Sequence, residues 1–345
     1  MIDLLLSTWA LWPSVVVFAV AAAITVVGAT RMAGLGDTLA DRTGWGEAVF
    51  GAVFFGAATS LSGIVITAVS AATGNPELAY SNAVGGIAAQ TVAIAVADMF
   101  YSRGNLEHAA ASLSNILFGC LLMAMLTLVV LANLLPPVTV AAIHPVSLVV
   151  VAAYVGGVML IRSSNEDPMW QAVQTGGTRQ DEPDEETDDT RTTWSVWGEF
   201  LVVGGIVAVG GFALARAADG IVAATGLAAG FVGAVLLGVV NALPETVAAI
   251  AAVRRGALTL AIAAILGGNC LDALNVVVGD VFYRDGSLYH AASADALFLT
   301  AASVLMTVVV VGGLLVRQAR GVAKVGFEGV LLLGIYASII LVLAV

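Results

Sequence analysis

Residues 239–250 read VVNALPETVAAI, so a proline and a glutamate stand side by side within an apolar run. A carboxylate at mid-membrane costs roughly 2.5–3.5 kcal/mol even on the most lenient scale, and such a group marks an ion or substrate pathway by default. Asn241 and Glu245 are four residues apart and share one helix face. Further on, GGNCLD (267–272) sets Asn269 and Asp272 three apart, again on a common face. Pro244 deprives a carbonyl one turn earlier of its amide donor. The helix is therefore predicted to loosen near residues 240–241 and to free carbonyl oxygens for coordination.

These residues need helices to hold them at membrane depth. The chain has 345 residues, 60% hydrophobic and 11% charged, against about 25% charged in a soluble domain. Its apolar segments are about 20 residues long and lack the alternation of barrel strands, which predicts an all-α membrane protein. Ten spans are placed at about 10–31, 48–72, 79–99, 110–132, 144–162, 197–217, 227–252, 257–279, 291–316 and 325–345. The opening MIDLLLSTWALWPSVVVF has no basic stretch and reads as a first span rather than a cleaved signal. Cys120 and Cys270 lie in apolar segments and make no disulfide framework.

Residues 163–193 form an acidic, polar linker whose second half is expected to be disordered, a solvated tether in preference to a calcium sensor. With the N-terminus outside, eleven basic residues fall on the inner side and only Arg216 and Arg284 on the outer. That bias predicts a cell-membrane protein with both termini outside and the linker cytoplasmic.

A shift of 182 residues superimposes one half on the other. DMFYSRGNLEHAA from Asp98 meets DVFYRDGSLYHAA from Asp280, Asp37 meets Asp219, and Gly85-Gly86 meets Gly267-Gly268. The chain is thus expected to hold two copies of one unit, 1–162 and 194–345, joined by the linker. Five spans per copy is an odd number, so the second copy must be inverted, an architecture of secondary transporters with a midplane site between the copies. In the first copy the shift places Thr59, Ser60 and Gly63 opposite Asn241, Ala242 and Glu245, and Gln90 opposite Asp272. The first copy keeps neutral oxygens and has neither carboxylate. Asp98 and Asp280 lie at helix ends and are left out of the site, and the repeat mates His108 and His290 are read as interfacial anchors.

GAATSLSG (56–63) and VVNALPE resemble one signature of the sodium/calcium exchanger membrane region, and GGNCLD and, more faintly, GGIAAQ resemble its second. The resemblance covers nearly the whole chain outside the linker. It implies a central diamond of cation sites built here from Thr59, Ser60, Gln90, Asn241, Glu245 and Asp272, with Asn269 in the same motif. The family's first-repeat glutamate is Gly63 in this chain and its proline is Ser62.

Calcium takes six to eight oxygens, and Glu245 with Asp272 would balance its charge. Two sodium ions or two protons would balance it equally well. The leading expectation is sodium-coupled calcium antiport by alternating access. Exchange of another cation or proton coupling is the alternative, and a cation-binding regulatory protein that transports nothing is the alternative of another class. No ATP-binding loop and no nucleophile–base constellation points to an enzyme. No cofactor is implied, and the expected partners are small inorganic cations and the lipid bilayer.

Overall fold

The computed structural model describes residues 9–43, 56–101, 104–166, 169–173, 191–319 and 326–344. Among them the regular elements are helices, apart from one isolated bridge between Val140 and Ile143. The ten main helices are α1 (Leu11–Thr43), α2 (Gly56–Ala72), α3 (Pro76–Phe100), α4 (Leu113–Leu134) and α5 (Pro145–Glu166), followed by α6 (Thr193–Thr225), α7 (Gly238–Arg255), α8 (Leu258–Phe282), α9 (Ala294–Val316) and α10 (Phe327–Leu343). Eight helical stretches are long and apolar enough to cross a membrane, and the apolar parts of α2 and α10 are shorter. The first eight residues of the second expected span, 48–55, lie outside the described residues, as do most of the linker and Val345.

Local chemistry sets the helix ends. Asn75 caps α3, its side chain accepting from the Leu78 amide with Pro76 in the first turn, where a missing N–H costs nothing. Ser112, Thr192 and Ser293 cap α4, α6 and α9 in the same way. Gly226 and Gly256 end α6 and α7 with φ of 71° and 90°, a left-handed turn that glycine adopts without penalty.

α1 and α6 are longer than their apolar runs, continuing to residue 43 and starting at residue 193. Their polar ends hold because the two helices pack along each other. Leu35 and Leu39 pack with Val196, Trp197 and Phe200, and Arg31 pairs with Glu199. Arg216, counted among the loop charges in the orientation argument, lies within α6 instead and is buried in an ion pair with Asp219 at 2.9 Å. Asn75 donates to the same carboxylate at 3.0 Å and ties α6 to the start of α3.

The predicted break at Pro244 is corrected. α7 runs unbroken through the proline. The irregularity lies a turn and more earlier, where Val232–Leu237 form a π-helix after a short turn at Ala229–Phe231. A π turn widens the helix and shifts its register, so a wide turn followed by a proline replaces a sharp kink.

α3 and α8 form the centre. α3 is buried along nearly its whole length, including Ser81, Asn82, Gln90, Thr91 and Asp98. α1, α5 and α6 instead expose apolar side chains such as Val16, Val27, Leu148, Met159, Leu201 and Val209, the outward face expected of lipid-contacting helices. Cys270 is buried against the Phe118 carbonyl, and Cys120 is exposed; neither forms a disulfide.

Candidate cation site

α2, α3, α7 and α8 meet at the centre because glycines allow close approach. A Cβ at Gly85 on α3 would lie 2.3 Å from the Ala234 Cα, and one at Gly238 would lie 2.7 Å from the Gly85 carbonyl carbon. No side chain fits between these backbones. The next residue, Gly86, faces Asp272 and Asn241, while Gly268 faces Gln90 and Glu245, each at about van der Waals distance. These two glycines clear room for the acids.

All seven residues singled out from the sequence are buried: Thr59, Ser60, Gln90, Asn241, Glu245, Asn269 and Asp272. Asp272 is held by two amides, Gln90 Nε2 at 2.7 Å and Asn275 Nδ2 at 3.2 Å. The Thr59 hydroxyl faces Glu245, and the Ser60 hydroxyl faces Asp272. Asn241 donates to Asn82 at 2.8 Å and accepts from Ser62 at 3.1 Å. Asn269 donates to Thr91 at 3.0 Å.

Among the described residues several buried oxygens accept no hydrogen bond of good geometry: both of Glu245, which the Thr59 hydroxyl only faces, Gln90 Oε1, Asn269 Oδ1 and Ser60 Oγ. Buried acceptors ordinarily find a partner. Such a set on adjoining helices, with the Glu245 carboxylate among them and the Asp272 carboxylate beside it, has the chemistry of a hard-cation ligand shell. Among the described residues no cluster of three acidic, histidine or cysteine side chains forms a ready metal centre. The site holds two carboxyl groups and draws its remaining oxygens from amides and hydroxyls.

The position opposite Glu245 is filled. A Cβ on Gly63 would meet Asn275 Nδ2 at 3.3 Å and Asn241 Nδ2 at 3.4 Å. Two amides thus occupy the space into which a first-repeat carboxylate would project. Asn82 and Asn275, absent from the expected set, complete this layer; Asn82 also donates to the Gly63 carbonyl at 3.2 Å and to Thr67 at 2.9 Å. Asn275 lies one helical turn beyond Asp272, a spacing that could have pointed to it. Asn82 has an alanine, Ala264, as its repeat mate, and no repeat signal marks it.

The sodium/calcium exchanger protein family matches residues 13–161 and 195–345. The chain belongs to that family. It is a transporter family of multi-pass membrane proteins, and cation/calcium antiport is its common activity. Comparison with curated protein sequences finds no match. Among solved structures, this exchanger resembles native YfkE (15% identity, TM-score 0.63, 96% of this chain and 93% of that one). It also resembles the H+/Ca2+ exchanger CAX (14%, 0.66, 95% and 86%). A third likeness is to the sodium-calcium exchanger NCX_Mj (16%, 0.58, 96% and 99%). At these identities the likeness speaks for the fold.

Proposed function

We propose that this exchanger moves calcium against two monovalent cations by alternating access, at a midplane site built on Glu245 and Asp272. The observation that carries this reading is the set of donor-less oxygens around two buried carboxylates. Empty, such a pair is costly to carry through a closed intermediate in a poor dielectric. One divalent ion or two monovalent ions neutralise it and allow passage, which makes exchange obligatory without ATP. Glu245, Asp272, Gln90, Asn241, Asn269, Thr59 and Ser60 are the proposed ligands.

The frame is ten spans in two inverted five-helix copies, 1–162 and 194–345, with the linker in the cytoplasm. Gln90 and Asp272 are mates under the 182-residue shift, and they bond to each other at 2.7 Å. Equivalent residues meet where a two-fold axis passes between their copies, so this bond supports a pseudo-axis through the site.

Sodium is the proposed counter-ion, because a sodium ion uses the same neutral oxygens that calcium does. A second reading, proton coupling, is favoured by Glu245 alone: among the described residues neither of its oxygens accepts a hydrogen bond of good geometry, and Asp272 stands near it. Calcium uptake by reconstituted vesicles under an imposed sodium gradient, and separately under a pH gradient, decides between the two. Flux that follows sodium and vanishes in Glu245→Gln supports the first. Flux that persists without sodium and follows pH supports the second. Calcium binding with no flux under any gradient would overturn both.

A further inference from the structure

Three carboxyl groups outside the candidate site come together on the linker side of the bundle. Asp98 ends α3, Glu107 lies on the short helix Leu106–Ala109, and Glu328 opens α10. Each is at most 1% exposed. The side is fixed by contact: Arg317, at the end of α9, donates to the carbonyl of His108 and to that of Val173 in the linker.

The 182-residue shift supplies an internal comparison, since the same framework recurs at the opposite end. There Asp280 accepts from the Leu288 amide at 3.0 Å, the His144 amide at 2.8 Å and the Ser147 hydroxyl at 2.7 Å. Tyr289 shares a bond with Ser147 at 2.9 Å. Every polar group in that set has a partner. On the linker side Asp98 keeps the homologous bonds, from the Leu106 amide at 2.7 Å and the Gly326 amide at 3.4 Å. However, Glu107 stands where the other copy has Tyr289, and Glu328 where it has Val146. Two acids have been added, and among the described residues the frame offers them one side-chain donor, Asn105, which bonds to Glu328 Oε1.

Among the described residues both Glu107 oxygens and Glu328 Oε2 are left without a donor. Glu107 and Glu328 face each other within hydrogen-bonding reach. None of the ion pairs among the described residues involves either acid or Asp98. The neighbouring elements bring other charged or titratable groups: His108 on the short helix itself, Arg317 from α9 and Arg254 at the end of α7. His108 Nδ1 meets the Arg317 carbonyl, Arg317 reaches backbone carbonyls, and Arg254 lies over the Phe100 ring. Two carboxylates that face each other in a dry setting cannot both stay ionised at low cost.

We propose that Glu107 and Glu328 form a proton-binding site on the linker side, one proton shared between the two carboxyls joining the α3–α4 connection to the start of α10. The site is distinct from the cation site and needs no metal. Burial first, then the Glu328 and Asp98 charges, push Glu107 well above the usual carboxylate range. Loss of the proton sets like charges against each other and loosens the base of α3, the helix that carries Gln90. Rising pH on the linker side therefore slows exchange.

The test that stands apart from the transport reading is infrared spectroscopy of the purified full-length protein at neutral pH. Subtracting the E107Q spectrum from wild type should reveal the carbonyl stretch of a protonated acid, and E328Q should shift or abolish that band. Protonated acids elsewhere cancel in the difference. A difference spectrum showing only loss of an ionised carboxylate overturns the proposal, whether or not a cation takes the proton's place. In vesicles sorted by protease access to the linker, wild-type flux should fall as the linker-side pH is raised, while E107Q holds its neutral-pH rate within about twofold and gives a flat profile. An E107Q profile that tracks wild type would also overturn it. Should E107Q fold poorly, E328Q serves the same comparison.

Discussion

Glu245 and Asp272 are held in opposite ways. Asp272 receives two amide donors, whereas neither oxygen of Glu245 has one. Asp272 is thus the anchored charge and Glu245 the one free to take an ion. Replacing either by its amide should cut calcium flux by about a hundredfold, about 3 kcal/mol, yet the two variants should part in stability. Asp272→Asn loses charge-assisted bonds worth about 1.5–3 kcal/mol each and should melt earlier in detergent. Glu245→Gln removes an unpaired buried charge and should melt at the wild-type temperature or above. Equal melting losses in both variants would contradict this division. Gln90→Ala, which removes one donor from Asp272, should weaken calcium binding about tenfold. Glu245, Asn269 and Asp272 were legible in the sequence because polar residues at membrane depth stand out against apolar runs. Gln90 emerged only through the repeat. Asn275 could have been read from its place one turn beyond Asp272, but that it fills the space beside Gly63 together with Asn241 is a matter of packing between helices, and Asn82, which bonds to the Gly63 carbonyl, carried no signal at all.

The helices themselves were legible from apolar windows of membrane-spanning length, and each of the ten expected segments contains a helix among the described residues, with differences at the ends such as 110–112, 227–228 and 292–293. Two features of the elements were not. The extensions of α1 and α6 depend on each other, through Leu35, Leu39, Val196 and the Arg31–Glu199 pair, so neither shows in a local window. The π turn at Val232–Leu237 has no residue signature, and the proline drew attention to the wrong turn. Close contact between α3 and the start of α7 rests on Gly85 and Gly238. Gly85→Ala forces a Cβ to within 2.3 Å of the Ala234 backbone, an overpacking that costs about 1–3 kcal/mol or more. It should lower both melting temperature and flux. Gly156→Ala on α5, where nothing lies within 4 Å, should change neither, which separates packing from a general intolerance of alanine. The Glu107–Glu328 pair belongs to this scale too. Because Glu107 binds its proton more tightly when folded, stability falls as pH rises from about 4.3 through its raised value. The stabilisation gained by E107Q should therefore be small in acid and grow toward alkaline pH, as thermal unfolding across pH would show.

Across the whole molecule the two copies share a frame but divide the chemistry unequally. The second supplies both carboxylates of the site. The first supplies Gln90, Thr59 and Ser60, and its glutamate position is closed by two amides. A symmetric pair of acids on the two halves would let either copy carry charge as the bundle rocks. Under the proposed alternating access the charge would move with α7 and α8 alone, with the first copy presenting neutral oxygens to it. Two negative charges match one calcium ion or two monovalent ions, so each half-cycle carries a neutral site. Exchange should then be electroneutral. Calcium flux in vesicles should keep the same rate when a potassium diffusion potential of either sign is imposed, and it should produce no current. N275D would place a third carboxylate beside Asp272, on the same face one turn away. That variant should admit an extra monovalent cation or carry net charge, and its flux should become voltage-dependent. A wild-type flux that already responds to voltage would mean that more ions bind than the two carboxylates neutralise, and neutral oxygens such as Gln90 Oε1 and Asn269 Oδ1 would then be holding a cation without a counter-charge.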